Sequence, residues 1–353
     1  SIQKLTSLCY KKLNMSKKNS NVNLRNGFKD YTDLSNIFLN FKNKLDFFKK
    51  KKFVVAVSGG PDSLALVALT RSYSFFTKTL FYYVLVDHNI RKNSNQEAKQ
   101  VKDLLKKKYI SLRIILNKRK IHKNLQSESR NIRYEILTNY CKKKKVSVLL
   151  TAHNLEDQVE TFFIRLSRGS GLKGLSSMKP LSKIDNKISL YRPLLDVRKK
   201  FLIKISKNTF GKYFKDPSNK NIRYLRTKVR KLKEPLEKSG IKYEQIFKSI
   251  QNLSLSRNTL DVYQSKISKD LIKKVKREVL INFKKYEKLN NYTKIAIINE
   301  SIKKLKKNYY DQRSKKVENL IKNLNKKKFK KSTLGGCIFF KKGDNLCLKV
   351  EKR

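Results

Sequence analysis

Six residues in the first third of the chain have types and spacing suited to holding phosphate. They are Ser58-Gly59-Gly60-Pro61-Asp62-Ser63, directly after the apolar run Val54–Val57. Glycines let backbone N–H groups converge, and a helix N-terminus behind them adds potential that favours an anion. The hydroxyls of Ser58 and Ser63 can donate to phosphate oxygens. Asp62 would repel phosphate unless it holds a cation, so Mg2+ is implied. This is not a Walker loop, which needs Gly-Lys-Ser/Thr after four spacers. A plain strand-to-helix turn is the bland alternative. Six residues in this order after a buried strand weigh against it.

The elements that must position this loop follow from the pattern around it. Phe53–Val57 reads as a buried strand and Asp62–Tyr73 as a helix. Leu80–Val86 reads as a strand. Ser94 and Glu97 have capping-box spacing before a helix to about Lys108. Leu112–Leu116 is a strand, Ser127–Cys141 a helix, and Val146–Leu150 a strand. Asn154 then caps a helix running to about Leu166. Such alternation predicts an α/β fold, a parallel sheet with helices on both faces. Ligands of these folds sit at the carboxyl ends of the strands.

Of only eleven glycines, two are Gly59 and Gly60 and three lie in Arg168–Gly174, "RGSGLKG". Where glycine is scarce, such clusters suggest backbone that approaches a ligand or moves. The expected organisation is a basic N-terminal extension over 1–49 and a catalytic domain over 50–231. A Lys-rich α-helical region over 232–330 and a small β element over 331–353 follow, with a hairpin around Lys342-Gly343-Asp344.

The chain has 86 Lys and Arg against 27 Asp and Glu, a formal charge of +59. That excess favours a polyanionic partner and salt-dependent binding. AT-rich coding bias is the alternative, since Lys, Asn and Ile abound and Trp is missing. The four cysteines, Cys9, Cys141, Cys337 and Cys347, form no CxxC, which excludes a zinc ribbon or redox pair of that type. A reduced, cytoplasmic compartment fits, with a plastid or other organelle of bacterial origin as the alternative. No apolar run reaches membrane-spanning length, so no membrane partner is expected. The first 29 residues carry no acid and a single arginine, Arg25, and read as a disordered basic tail rather than a transit peptide. The chain begins at Ser1, so its start is expected to be trimmed or misassigned, with Met15 one candidate.

The blocks together carry a resemblance. "SGGPDS" resembles the PP-loop of the N-type ATP pyrophosphatases, a Rossmann-like group that cleaves ATP between its α- and β-phosphates. "VDHNIR" (Val86–Arg91), "ESRNIRY" (Glu128–Tyr134) and "TAHNLEDQVETFFIRLSRGSGLKGLSSM" (Thr151–Met178) resemble, in order, blocks of the tRNA(Ile)-lysidine synthetase family. "YRPLLDVRK" (Tyr191–Lys199) and "DPSNKNIRYLRTKVR" (Asp216–Arg230) complete the set. The likeness is close over about residues 50–230 and loose beyond. Three departures stand out: Asn154 replaces a His, Glu156 replaces an Asp, and Asn89 stands where Gly is usual.

The resemblance implies ligation of L-lysine to carbon-2 of the wobble cytidine of a CAU-anticodon tRNA(Ile), through an adenylated tRNA. ATP and Mg2+ are then required, and a homodimer is left open. It implies an ATP site of Ser58, Gly59, Gly60, Pro61, Asp62, Ser63, His88 and His153. Asp62 and Asp157 would hold Mg2+. Arg130 would stabilise the α-phosphate or adenylate, with Arg226 a second candidate. Glu160, one turn after Asp157, would bind the lysine ammonium or take its proton. His153 would contact nucleotide or carry a proton, and His88 would line the adenine pocket. In the bland alternatives Asp157 and Glu160 are solvent-facing charges, Arg133 holds a neighbouring carboxylate, and His122 lies on the surface. The rivals are a tRNA thiolase of the same fold, which would need reactive cysteines, and a non-catalytic basic RNA-binding protein.

Overall fold

Residues Lys52–Val57 form strand β1, and their side chains alternate between two dry faces. Phe53, Val55 and Val57 enter one hydrophobic core, and Val54 enters another. A strand buried on both sides belongs in the middle of a parallel sheet covered by helices. The computed structural model describes residues 22–26, 28–29, 31–90, 93–119, 125–214, 224–306, 312, 314–326 and 329–351. In it β1 pairs in parallel with β2 (Leu80–Asp87) and with β4 (Val148–Leu150). The sheet order is β3-β2-β1-β4-β6-β5, with β3 at Leu112–Leu116, β5 at Leu181–Lys183 and β6 at Ser189–Tyr191. Only the edge strand β5 runs antiparallel. The order steps outward from β1 through β2 to β3, then resumes on the other side at β4. That reversal opens a crevice at the carboxyl ends of β1 and β4, where such folds bind ligands.

One face is covered by α2 (Thr32–Asp46), α3 (Pro61–Phe76), α4 (Ser94–Lys106) and α8 (Lys199–Phe210). Helix α3 is buried almost all round, with Leu64 to Leu69 at 0 % exposure, because α8 and α2 pack outside it. The other face is covered by α5 (Leu125–Lys143) through Leu137 and Cys141. Helix α6 (Leu155–Leu166) follows β4 and precedes the short α7 (Leu172–Leu175).

The expected N-terminal extension is more integrated than its charge suggested. Leu24, in the short helix α1 (Val22–Arg25), and Phe28, Leu34, Phe38, Phe41 and Leu45 all join the main core. Lys44 of α2 also pairs with Asp196 at 2.6 Å. The basic tail before residue 22, Met15, Cys9 and His122 lie outside the described residues. Ser94 and Glu97 do not form the expected capping box. The helix starts one residue earlier than that spacing implied, with Asn93 at the N-cap and no side-chain capping bond.

The chain divides into two compact units, Ser1–Leu253 and Ser254–Arg353. Helices α9 (Leu225–Lys231), α10 (Lys233–Lys238) and the first part of α11 (Tyr243–Leu271) belong to the first unit, beyond the expected boundary at 231. The second unit carries helices α12 (Phe283–Glu287), α13 (Asn291–Leu305) and α14 (Ser314–Leu324). It also holds two strands that an all-helical reading of 232–330 missed, β7 (Ile272–Val275) and β8 (Glu278–Asn282). They pair with β9 (Lys331–Leu334), β10 (Cys337–Lys342) and β11 (Asn345–Val350) in an antiparallel sheet ordered β7-β8-β11-β10-β9. The expected terminal hairpin is thus β10–β11, the middle of a five-stranded sheet. No helix among the described residues is long and apolar enough to cross a membrane.

Candidate active site

The turn after β1 is shaped by one residue that little else could replace. Gly59 has φ +80°, and a Cβ there would lie 2.6 Å from Val101 Cγ2, so glycine is required on both counts. Its carbonyl accepts from Phe214 N at 3.0 Å. Gly60 is the N-cap of α3 and Pro61 its first residue, where a missing N–H costs nothing. Ser63 Oγ donates to Gly60 O at 3.0 Å and accepts from Ser58 N at 3.1 Å and Ser58 Oγ at 3.2 Å. The two serines therefore lock the cradle into shape from inside.

Asp62 sits at the rim, its side chain 24 % exposed and Lys199 Nζ 3.7 Å from its Oδ2. Its Oδ1 is buried without a hydrogen-bond partner. Desolvation pushes its carboxyl up to about 6, against the pull of Lys199 and with the repulsion of Asp157. An orphaned carboxylate oxygen beside a second carboxylate and an anion cradle suits a hard cation with oxygen ligands, the donor set Mg2+ takes.

Asp157 is placed by the predicted cap of α6. Asn154 Oδ1 accepts from Asp157 N at 2.9 Å, and Asp157 Oδ2 accepts from Asn154 N at 3.1 Å, a complete capping box. Asn is among the preferred N-cap residues, so Asn154 supplies this cap with its own side chain. Glu156 points elsewhere. Its Oε2 accepts from Lys199 N at 2.8 Å, and its Oε1 pairs with Lys233 Nζ at 3.3 Å. It thereby ties the first turn of α8 to the first turn of α6, assisted by Leu155 N donating to Val197 O at 3.1 Å.

Glu160 is buried, its side chain 4 % exposed, and held by two arginines. Arg230 Nε and Nη2 donate to its two oxygens at 2.6 and 3.0 Å. Arg226 Nε lies 3.0 Å from Oε2, and Arg226 Nη2 donates to Thr161 Oγ1 at 3.3 Å. Asp157 and Glu160 are therefore not solvent-facing charges. Arg226 meets Glu160 directly, and Arg230, in the same "RTKVR" segment, is a neighbour that sequence reasoning did not single out.

His153 Nδ1 lies 3.0 Å from Thr151 Oγ1 at the end of β4. Burial, with Arg192, Arg130 and Arg226 nearby, lowers its pKa and keeps it neutral, despite the opposing pull of Asp157. Arg192 was also missed. It is buried, with Nη1 donating to Lys179 O at 2.8 Å and Ser182 Oγ at 3.0 Å. Arg130 is exposed and stacks over the Tyr134 ring at 5.1 Å. Arginines, a neutral imidazole and a metal-ready carboxylate pair make a site that can hold a phosphate ester and neutralise charge building on it.

His88 lies with Arg133, at the end of β2. Arg133 Nε donates to His88 Nε2 at 3.3 Å, so the proton sits on Nδ1, which is buried and unpaired. Burial, then Arg133, pushes this imidazole down to about 4. Asn89 explains its own departure: it has φ +52°, where Asn is among the residues that tolerate left-handed backbone, and its N–H bonds Asp87 Oδ1 at 2.9 Å.

The second glycine cluster is tethered at its downstream end. Arg165 Nη1 donates to Gly174 O at 2.7 Å and Ser177 O at 2.9 Å, and the Gln158 amide bonds both backbone groups of Met178. Cys141 packs under the sheet with its thiol pushed up to about 12 by burial.

Residues 31–235 match the family ATP_bind_3, described as a PP-loop domain. Over 314 residues the chain is 33 % identical to the tRNA(Ile)-lysidine synthase of Rickettsia akari (strain Hartford), covering 85 % of this chain and 69 % of that protein. It is 31 % identical over 321 residues to the enzyme of that name from Wolbachia pipientis wMel, covering 90 % and 74 %. The counterpart from Orientia tsutsugamushi (strain Boryong) is 38 % identical over 204 residues, 56 % of this chain, which span only 45 % of that protein. Among solved structures, a U34-tRNA thiolase, NcsA from Methanococcus maripaludis with its 4Fe–4S cluster, aligns with TM-score 0.53 at 20 % identity. That alignment covers 62 % of this chain and 79 % of that one, a likeness of fold.

Proposed function

The chain belongs to the tRNA(Ile)-lysidine synthase family of PP-loop proteins, and from that premise we propose that it joins L-lysine to carbon-2 of the wobble cytidine of CAU-anticodon tRNA(Ile). ATP is consumed to AMP and pyrophosphate through an adenylated tRNA. The observation that carries this reading is the convergence of the Ser58–Ser63 cradle, the Asp62–Asp157 carboxylates and the buried Glu160 at the mouth of β1 and β4.

In the first step the cytosine oxygen attacks the α-phosphate of ATP. Negative charge gathers there, and the bond to pyrophosphate breaks. The Gly59–Gly60 backbone binds the departing phosphates, Ser58 and Ser63 hold the loop in shape and re-aim their hydroxyls when phosphate enters, and Arg130 and Arg226 offset the charge at the α-phosphate. Asp62 and Asp157 are the residues that would hold Mg2+, which when bound supplies charge neutralisation at the phosphates. In the second step the lysine ε-amine displaces AMP from carbon-2. Glu160 is the carboxylate that would meet the ammonium, exchanging one of its two arginine partners for it, while the other holds it in one orientation. His153, held neutral by burial, would contact the nucleotide through its imidazole. His88, kept neutral by burial, is the residue we assign to the adenine pocket. Thiolase chemistry is disfavoured, because Cys141 lies in a hydrophobic core with a raised pKa and is poorly nucleophilic.

The test is mass analysis of tRNA nucleosides after incubation with ATP and isotope-labelled lysine. A labelled lysidine nucleoside in tRNA(Ile) is expected. Pyrophosphate release without label transfer, or transfer of sulfur, would overturn the proposal.

A further inference from the structure

The Ser58–Ser63 loop contains no cation, whereas a Walker loop carries a lysine for its phosphates. ATP brings several negative charges to this cradle, and Asp62 adds another. Positive charge must come from another element. Resting on the ATP-dependent reading above, we propose that Lys199, the first residue of α8, is a phosphate-contacting residue of the site and supplies the cation that the loop lacks.

Three observations carry this. First, the start of α8 is fixed rather than incidental. Glu156 Oε2 accepts from Lys199 N at 2.8 Å, and Leu155 N donates to Val197 O at 3.1 Å. The first turns of α6 and α8 are therefore locked together beside the first turn of α3, which bears Asp62. Second, the Lys199 charge is not consumed by Asp62. Their closest approach is 3.7 Å, beyond hydrogen-bonding distance, and Asp62 Oδ1 accepts no bond. A lysine present only to neutralise Asp62 would close to contact, as Lys44 does with Asp196 at 2.6 Å. The Lys199 side chain is 37 % exposed, and its ammonium retains donors for a third party. Third, its neighbours are committed elsewhere. Arg198 pairs with Glu244, and Lys200 lies over the Phe201 ring at 4.9 Å. Of these three successive cations, Lys199 alone is paired with the cradle's carboxylate.

The experiment compares the 353-residue chain with its Lys199→Met and Lys199→Arg variants. Binding of ATP, inorganic pyrophosphate and adenosine is measured by calorimetry, with unfolding curves confirming that each variant is folded. Loss of one charge-assisted contact predicts a fall of about ten- to a hundredfold in pyrophosphate and ATP affinity for Lys199→Met. Adenosine affinity should stay within about twofold, since it carries no charge for the ammonium to meet. Lys199→Arg should retain most of the affinity.

A purely structural role through Asp62 is separated by repeating the pyrophosphate titration in an Asp62→Asn background without divalent metal. A direct contact predicts that Lys199→Met still weakens binding there. Unchanged pyrophosphate affinity in Lys199→Met, or an effect that vanishes once Asp62 is Asn, would overturn the proposal. If the unsubstituted protein bound neither ATP nor pyrophosphate, both this proposal and the ATP-dependent reading would fall. If it bound both without forming lysidine, only the product assignment would fall.

Discussion

At the scale of single residues, Asp62 is a carboxylate whose surroundings oppose its charge. Its folded pKa, near 6, exceeds the ordinary carboxylate value, chiefly through desolvation. A raised acid costs nothing below about pH 4. Its penalty grows through about pH 6 and is complete above that. Asp62→Asn should therefore stabilise the metal-free protein at pH 8 by about 1–3 kcal/mol and leave it little changed at pH 4. Urea unfolding in a chelator at the two pH values measures this, and equal effects at both would reject a raised pKa. Glu160 matters through its arginine partners. Its replacement by Gln leaves Arg230 and Arg226 without their counter-charge. These side chains are 36 % exposed and reach water, so the loss should fall near the low end for a broken buried pair, about 2–3 kcal/mol. If Glu160→Gln lost lysine use while keeping full stability, the arginine contacts would be incidental. The cradle and the Asp157–Glu160 spacing were legible because they are local. The Glu160–Arg230 and Glu156–Lys233 pairs span 70 and 77 positions, and no periodicity signals such partners.

At the scale of elements, the site is an assembly of helix beginnings. Helices α3, α6 and α8 start around Asp62, and each start is secured differently: by Gly60-Pro61, by the Asn154–Asp157 box, and by Glu156 reaching over from another helix. Asn154→Ala should cost about 1–2 kcal/mol of stability, the usual worth of an N-cap. Because Asp157 is one half of that box, the same change should also weaken metal-dependent ATP binding. A stability loss with unaltered ATP affinity would separate the cap from the site. Strands β1 to β4 of the first sheet were readable from short apolar runs bounded by Gly, Asn and Asp, whereas β5 and β6, three residues each, were not. Strands β7 and β8 were not, because Ile272-Lys-Lys-Val275 offers only two apolar residues amid lysines, and β8 gains its partner from residues 345–349.

At the scale of the whole molecule, the division at Leu253 changes where the lysine-dense part can be removed. Tyr243, Ile246 and Ile250 of α11 pack on Leu155 and Val159 of α6, the helix bearing Asp157 and Glu160. A chain ending at Lys231 would uncover them and lose roughly 5 kcal/mol of apolar burial. One ending at Leu253 keeps them. The shorter form is expected to unfold at lower urea than residues 1–253. Residues 1–253 should bind tRNA more weakly than the full chain and with a shallower dependence on salt. They should also discriminate less between isoleucine and methionine tRNAs, which share the CAU anticodon before modification. Equal slopes and equal selectivity would assign the lysines of 254–353 to composition alone. The same packing sets a timetable for synthesis. On the ribosome β1 and β2 emerge first, yet one edge of β1 stays unpaired until residues 148–150 arrive, and α6 lacks its cover until residue 250. The nascent chain carries first an open strand edge, until residue 150, and then a bare apolar helix face, until residue 250, the two features most prone to wrong partners. The cradle for phosphate is therefore among the first parts made and among the last completed.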